Sequence, residues 1–455
     1  MSDNITQKLA RFIAEALTIP NDVKHQASKT FLNFIGCTVG GAQHSAVNTA
    51  SRALLPLSDS HAATVMGRGE RADPLLASLL NGMSASVYSY DDTHAEAVVH
   101  PGVPVGCALL AFAEGRRVTG RDFLLAYALG CEIVCRLSKA VSVSPAISEP
   151  GWIQTGITGG IGAAAAVAKL LNLEAKSVAT AMGIASCQSS GMRSLSRSMC
   201  FSLIAGQAAQ TGLRASLMAE QGFTASDEVF EAPEGYLLMY SKVPHSAYLI
   251  DGLGVRYELL KNTFKPYPCG VVIHPAIDAS LGLLDRGLVS QNIQSILVRL
   301  NPISVKLASL EQPQTVQECQ MSIQHWVAAT LIDGEAGLSQ SGLMKLTDPC
   351  IVSLRSRVQV QGDASMSRDS AIIEAKLISG EVFTLHIDHC RGSESRPMTE
   401  ADLSTKFRAQ CSQTMSSTEI DRLIDLCERI ESLDDVSVIL QAAAGQKKEI
   451  GWFVS

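Results

Sequence analysis

Residues 264–278, FKPYPCGVVIHPAID, mark the point at which the chain changes character. Lys265, Tyr267, Cys269 and His274 fall within ten residues, and Pro266 and Pro268 separate the first three. Proline fixes its own φ and pushes the residue before it into an extended conformation. The spacing therefore predicts an extended ribbon over 265–269, with Lys265, Tyr267 and Cys269 on one face and the two prolines on the other. His274 precedes Pro275, and the following PAIDASLGLL has helical spacing, which places His274 at a helix mouth. Free backbone N–H groups there attract anions and favour a neutral imidazole, a setting for acid/base chemistry.

Upstream of this stretch the chain reads as helix after helix. ADPLLASLLNGMSASVYSY, VPVGCALLAFAEGRRV, RDFLLAYALGCEIVCRLSKA, GIGAAAAVAKLLNL and AGQAAQTGLRASLMAEQG carry apolar residues three and four apart. Their many small residues imply closely packed helices. Downstream, QSILVRLN, CIVSLRSRVQVQGD, SAIIEAKLISG and EVFTLHIDH alternate or are rich in β-branched residues, and Ser379-Gly380 joins the last two as a hairpin. TVQECQMSIQHWVAATLIDGEAGL between them is helical, as are TEADLSTKFRAQ and STEIDRLIDLCERIESLDDVSVILQ near the end. Ser416 with Glu419 forms the better capping box of the latter pair. The predicted fold is mainly α. A large all-helical domain is formed by both chain ends, 1–264 and 399–455, and interrupted by a smaller α+β domain at 265–398, with a ligand cleft between them.

The 455 residues suffice for a large core, and the net charge of −7 with no lysine- or arginine-rich run excludes a nucleic-acid partner. The amino-terminal MSDNITQKLARFIAEALTIP lacks the basic and apolar regions of a signal peptide. Apolar runs such as IGAAAAVAKLL fall short of the roughly 20 residues of a membrane span. The expected location is the cytoplasm, where scattered cysteines behave as small buried hydrophobes.

A second reactive stretch lies in YSYDDTHAEAVVHPGVPVGC, where Asp91, Asp92, Thr93 and His94 precede His100-Pro101-Gly102 at the next helix start. Adjacent aspartates can pair with histidines, tune their protonation or take a proton themselves. Asp91, His94 and His100 could ligate a metal, but their spacing matches no familiar motif and the expectation is no metal. Gly160-x-Gly162-x-x-Ala165 imitates a dinucleotide fingerprint, yet no strand precedes it. Arg193 and Arg197, if helical, share a face able to clamp a carboxylate.

FIGCTVGGA, DDTHAEAVVHPG, TGITGGIGAAAAVAKLL, AGQAAQTGLRASLMAEQGFT, KPYPCGVVIHPAID and STKFRAQC, in this order, resemble the MmgE/PrpD family over nearly the whole chain. The resemblance implies a homodimer, an active site without metal or cofactor and a small di- or tricarboxylate substrate. It carries the family's catalytic positions onto Asp91, Thr93, His100, Lys265 and His274. Tyr267 joins this set from the ribbon, and Thr93, His94, Arg193, Arg197 and His325 are candidate substrate-binding residues. Three positions depart from the dehydratase and decarboxylase pattern: Ile153 stands where a histidine is frequent, Phe201 where a lysine is, and His325 where a tyrosine is. Fewer cations suit fewer carboxylates. The expected activity is therefore an epimerase like iminodisuccinate epimerase, abstracting a proton next to a carboxylate. A 2-methylcitrate dehydratase or cis-aconitate decarboxylase type of lyase, or a non-catalytic carboxylate binder, is the alternative.

Overall fold

The computed structural model describes residues 4–148 and 151–446. The fold is mainly α. The chain separates into two compact units: one holds the residues up to Val87, Asp91–Asn262 and the residues from Glu400, and the other holds Tyr88–Tyr90 and Thr263–Thr399.

In the first unit, the helices Pro74–Ser86, Gly102–Ala113, Gly120–Ser142, Gln154–Leu170 and Cys200–Glu220 pack around a core of alanine, leucine and valine. They fall on the segments expected from apolar spacing. Small residues set how closely they approach. A Cβ at Gly162 would lie 2.3 Å from Val134 Cγ2 and 2.5 Å from the Gly130 carbonyl. The Gly160-x-Gly162-x-x-Ala165 pattern thus lies mid-helix and serves helix packing, with no strand-to-helix turn to cradle a phosphate. The C-terminal helices Glu400–Cys411 and Ser417–Glu428 pack on the early helix Asn21–Gly41, and the second carries the expected Ser416–Glu419 capping box.

The second unit is built on a four-stranded sheet in the order Val382–Ile387, Ala371–Leu377, Ile293–Leu300, Val358–Gly362. The first three strands pair antiparallel and the last is parallel to its neighbour. The hairpin turns at Ser379-Gly380, where Gly380 adopts φ 90° as a tight turn demands. The inward residues of Ile293–Leu300 and Ala371–Leu377 form one core with the helices His274–Asp285 and Ile323–Asp333.

Two local expectations are corrected. CIVSLR is the helix Pro349–Arg355, capped by Asp348 Oδ1 accepting from Cys350 and Ile351 N–H, so only the second half of that segment is strand. The 265–269 ribbon is not extended throughout. Residues 266–269 bend, and Cys269 N–H donates to the Tyr267 carbonyl at 2.9 Å, closing a tight turn over Pro268. The turn lets Cys269 sink into the core beside Ile273 and Ile277, so the predicted two-residue alternation ends there.

Candidate active site

In the first unit the candidate residues gather on the loop leading into the helix Gly102–Ala113. Asp92 Oδ2 accepts from Gly102 N–H at 3.0 Å and from Asn262 Nδ2 at 2.8 Å, placing a carboxyl group on the helix N-terminus. A Cβ at residue 102 would stand 2.5 Å from Asp92 Oδ1, so the close approach requires glycine. Burial, reinforced by neighbouring Asp91, pushes the Asp92 carboxyl up to about 6 despite these bonds. Its Oδ1 is buried without a hydrogen-bond partner.

The same loop fixes His100. The ring's Nδ1 lies 2.8 Å from the Asp92 carbonyl, 3.1 Å from Thr93 Oγ1 and 3.7 Å from Asp91 Oδ1. A carbonyl oxygen can only accept, so Nδ1 carries the proton and a neutral ring holds its lone pair on Nε2. The His100 N–H donates to Thr155 Oγ1 at 3.0 Å. Thr155 was not among the candidates of the sequence, where nothing links it to the loop 55 positions earlier.

His94 lies apart from this cluster of hydrogen bonds. Its Nδ1 accepts from Ala97 N–H, and its Nε2 is 3.3 Å from Glu258, which also meets Lys139 Nζ at 3.0 Å and Lys261 Nζ at 3.4 Å. Burial alone would raise the Glu258 carboxyl, but His94 and the two lysines outweigh it and hold it below the usual carboxylate range. His94, Glu96 and Glu258 present atoms close enough together for one metal ion. The lysine amines already occupy that neighbourhood.

Arg193 and Arg197 are not on an α-helix. Arg193 opens the single 3₁₀ turn Arg193–Leu195 and donates to the Trp152 carbonyl at 3.0 Å, while Arg197 is exposed in the turn that follows. The predicted shared helical face is therefore absent, because four residues of a 3₁₀ turn and bend do not return to one side. Ile153 precedes the helix Gln154–Leu170 and donates its N–H to Gly191; Phe201 is the half-buried second residue of Cys200–Glu220.

In the second unit Lys265 is buried, 3% exposed, and its Nζ donates to the Ser89 carbonyl at 2.8 Å and the Ser89 hydroxyl at 3.1 Å. Tyr90 donates its hydroxyl to the Pro266 carbonyl at 2.8 Å. Tyr267 donates to Asp278 Oδ1 at 2.5 Å, and burial together with that carboxylate pushes the phenol far above its ordinary value. Asp278 in turn accepts from Arg391 N–H and Arg396. His274 is the first residue of His274–Asp285, and its ring meets Tyr267 edge-on with centroids 5.4 Å apart. Tyr267 thus ties the histidine's ring to a fixed wall, its own proton committed to Asp278.

His325, on the helix Ile323–Asp333 that packs against His274–Asp285, is fully buried. Its Nε2–H donates to the Gln340 carbonyl at 2.8 Å, and burial lowers its pKa to about 4, so the ring is neutral. Among the described residues, no helix is long and apolar enough to cross a membrane.

Residues 7–248 match the MmgE/PrpD N-terminal domain and residues 267–431 the MmgE/PrpD C-terminal domain. The chain is similar to a cis-aconitate decarboxylase-like protein of Aspergillus oryzae, 27% identical over 97% of this chain and 98% of that one. It is also similar to the cis-aconitate decarboxylase of Aspergillus terreus, 26% identical over 96% of this chain and 95% of the relative. The cis-aconitate decarboxylase of Mus musculus is 26% identical over 85% and 82% of the two chains. With both family domains matched in order along its length, the chain belongs to the MmgE/PrpD family.

Proposed function

We propose that the protein is a cofactor-independent lyase acting on a small di- or tricarboxylate, with decarboxylation of a cis-aconitate-like acid as its reaction. The observation that carries the reading is the fixed His100 tautomer: Nδ1–H against the Asp92 carbonyl leaves Nε2 as a proton acceptor, beside the carboxylate of Asp91. Relatives named as cis-aconitate decarboxylases over nearly their whole length support the same reaction class. In such an acid, the carboxylate two carbons from the double bond leaves as carbon dioxide. The electron pair of the broken bond shifts through the alkene, and a proton is delivered to the carbon at its far end. Lys265 and His274 are the proposed proton carriers, with Asp91 and His100 as the second pair and Tyr267 holding His274. Thr93, His94, Arg193, Arg197 and His325 belong to the proposal as groups that bind or position carboxylates. The two units then act as two domains of one enzyme, working as a cytoplasmic homodimer.

Incubation with cis-aconitate in heavy water tests the reading: carbon dioxide is released, and one deuterium appears on carbon in the product. Lys265→Ala and His274→Ala each lower turnover by about 10²- to 10⁴-fold, the range of a lost acid or base. Unchanged turnover in both variants would move the proton transfer to other residues, and ligand bound by the native protein without any turnover would leave a carboxylate-binding protein.

The apolar Ile153 and Phe201 favour a second reading, epimerisation of a dicarboxylate of the iminodisuccinate kind. Two fewer cations leave less to offset a third carboxylate. In that case the heavy-water experiment shows exchange of one proton next to a carboxylate, without release of carbon dioxide or water.

A further inference from the structure

The short segment Tyr88–Tyr90 belongs to the second unit although it lies between two stretches of the first. It grips the start of 264–278 at consecutive residues, Ser89 on Lys265 and Tyr90 on Pro266. Ser89 does so from a left-handed backbone, φ 50°. A non-glycine residue in that region is held against its own preference by its surroundings, and such outliers concentrate at functional positions. Here the distorted residue turns both of its oxygens onto one ammonium group.

We propose that Ser89 is the positioning residue for Lys265, aiming its ammonium for the reaction proposed above, on whose assignment of Lys265 this inference rests. A lysine amine on a flexible four-carbon stem has three donors and no inherent direction. Two of those donors go to one small residue, so tetrahedral geometry fixes where the third N–H points. The Ser89 carbonyl and hydroxyl are both neutral, so they orient the ammonium without cancelling its charge. Asp91 follows two positions later in the chain, so the segment that steers Lys265 runs directly into the loop that fixes His100.

Three substitutions separate positioning from plain packing. Ser89→Ala removes the hydroxyl and lowers kcat by about 10- to 100-fold, the cost of a reacting group displaced by a fraction of an ångström, with KM little changed. Ser89→Asn restores kcat to within about threefold, because asparagine tolerates the left-handed region and presents an amide oxygen. Ser89→Gly relieves the backbone and holds or raises the melting temperature, yet turns over as slowly as the alanine variant. Native kcat in Ser89→Ala, or losses in all three variants that merely follow their melting temperatures, would overturn the proposal.

A readout without substrate keeps the two proposals apart. In the full chain, acetic anhydride labelling of Lys265 is compared by peptide mass spectrometry with the exposed Lys242 in the same molecule. Losing the hydroxyl raises relative Lys265 labelling about fivefold, roughly what one net hydrogen bond is worth, and Ser89→Asn reverses the rise. Unchanged labelling overturns the tether whatever the enzyme turns over. A raised Lys265 label in Ser89→Ala, together with full activity in a separate Lys265→Met variant, would instead remove Lys265 from the proposed reaction.

Discussion

Asp92 carries opposing demands in one side chain: a helix N-terminus and an asparagine stabilise its charge, while burial and Asp91 oppose it. The folded carboxyl keeps its proton up to about pH 6, whereas an unfolded aspartate releases it near 3.8. Between those values the folded state binds more protons, so this group's contribution to stability is greatest at the acidic end and falls as pH rises through 6. The full difference is on the order of 3 kcal/mol. Asp92→Asn keeps an acceptor for Gly102 N–H and removes the titration. Its melting temperature is therefore expected to change less between pH 4 and 7 than that of the native protein. His100→Gln is expected to lower turnover by about 10²- to 10⁴-fold at nearly unchanged melting temperature, since the ring is partly exposed and its loss opens no core. At this scale the sequence showed a reactive loop, because DDTHAEAVVHPG concentrates acids and imidazoles around a helix start. It gave no sign of Ser89 or Thr155. A serine's importance there lies in a backbone angle or a contact across the fold, and neither leaves a trace in residue type.

The helices of the first unit were legible because apolar spacing and small residues act locally and agree. Their close packing makes a sharp comparison between neighbouring glycines. Gly162→Ala is expected to destabilise by about 1–3 kcal/mol, since the added methyl meets Val134 and a backbone carbonyl. Gly160→Ala, whose nearest neighbours stand 3.3 Å away, is expected to cost less than half as much. Chemical denaturation of the two variants decides it, and equal effects would mean that the helices do not approach as described. The Pro349–Arg355 helix was hidden by its β-branched residues, although Asp348-Pro349 is a helix-starting pair that outweighs them. Pro266 and Pro268 pointed to a stiff, extended ribbon over 265–269. Burial of Cys269 instead bends it, a tertiary demand that no local rule contains.

Across the whole molecule, the end of the chain completes what the beginning starts. Lys406 donates to Asn33 at 2.7 Å, Phe407 lies against Gly36, and Gly120 N–H donates to the Leu433 carbonyl at 2.8 Å. Gly67 N–H reaches Ala443 in the same way. Residues 400–431 thus pack with the first unit although the C-terminal family domain extends through them. Phe407→Ala is expected to cost about 3–5 kcal/mol in a denaturant titration, the range for an aromatic lost from a core. Both chain ends were expected in one helical body from the return of helical spacing after 399, but the particular pairings depend on shape rather than pattern. They also set a schedule for synthesis. Asn33 leaves the ribosome 373 residues before Lys406. At about 5–20 residues per second, the Asn21–Gly41 helix waits roughly 20–75 s for its cover. During that interval its apolar side needs a chaperone or a temporary neighbour, and slowing elongation late in the message should lower the soluble yield.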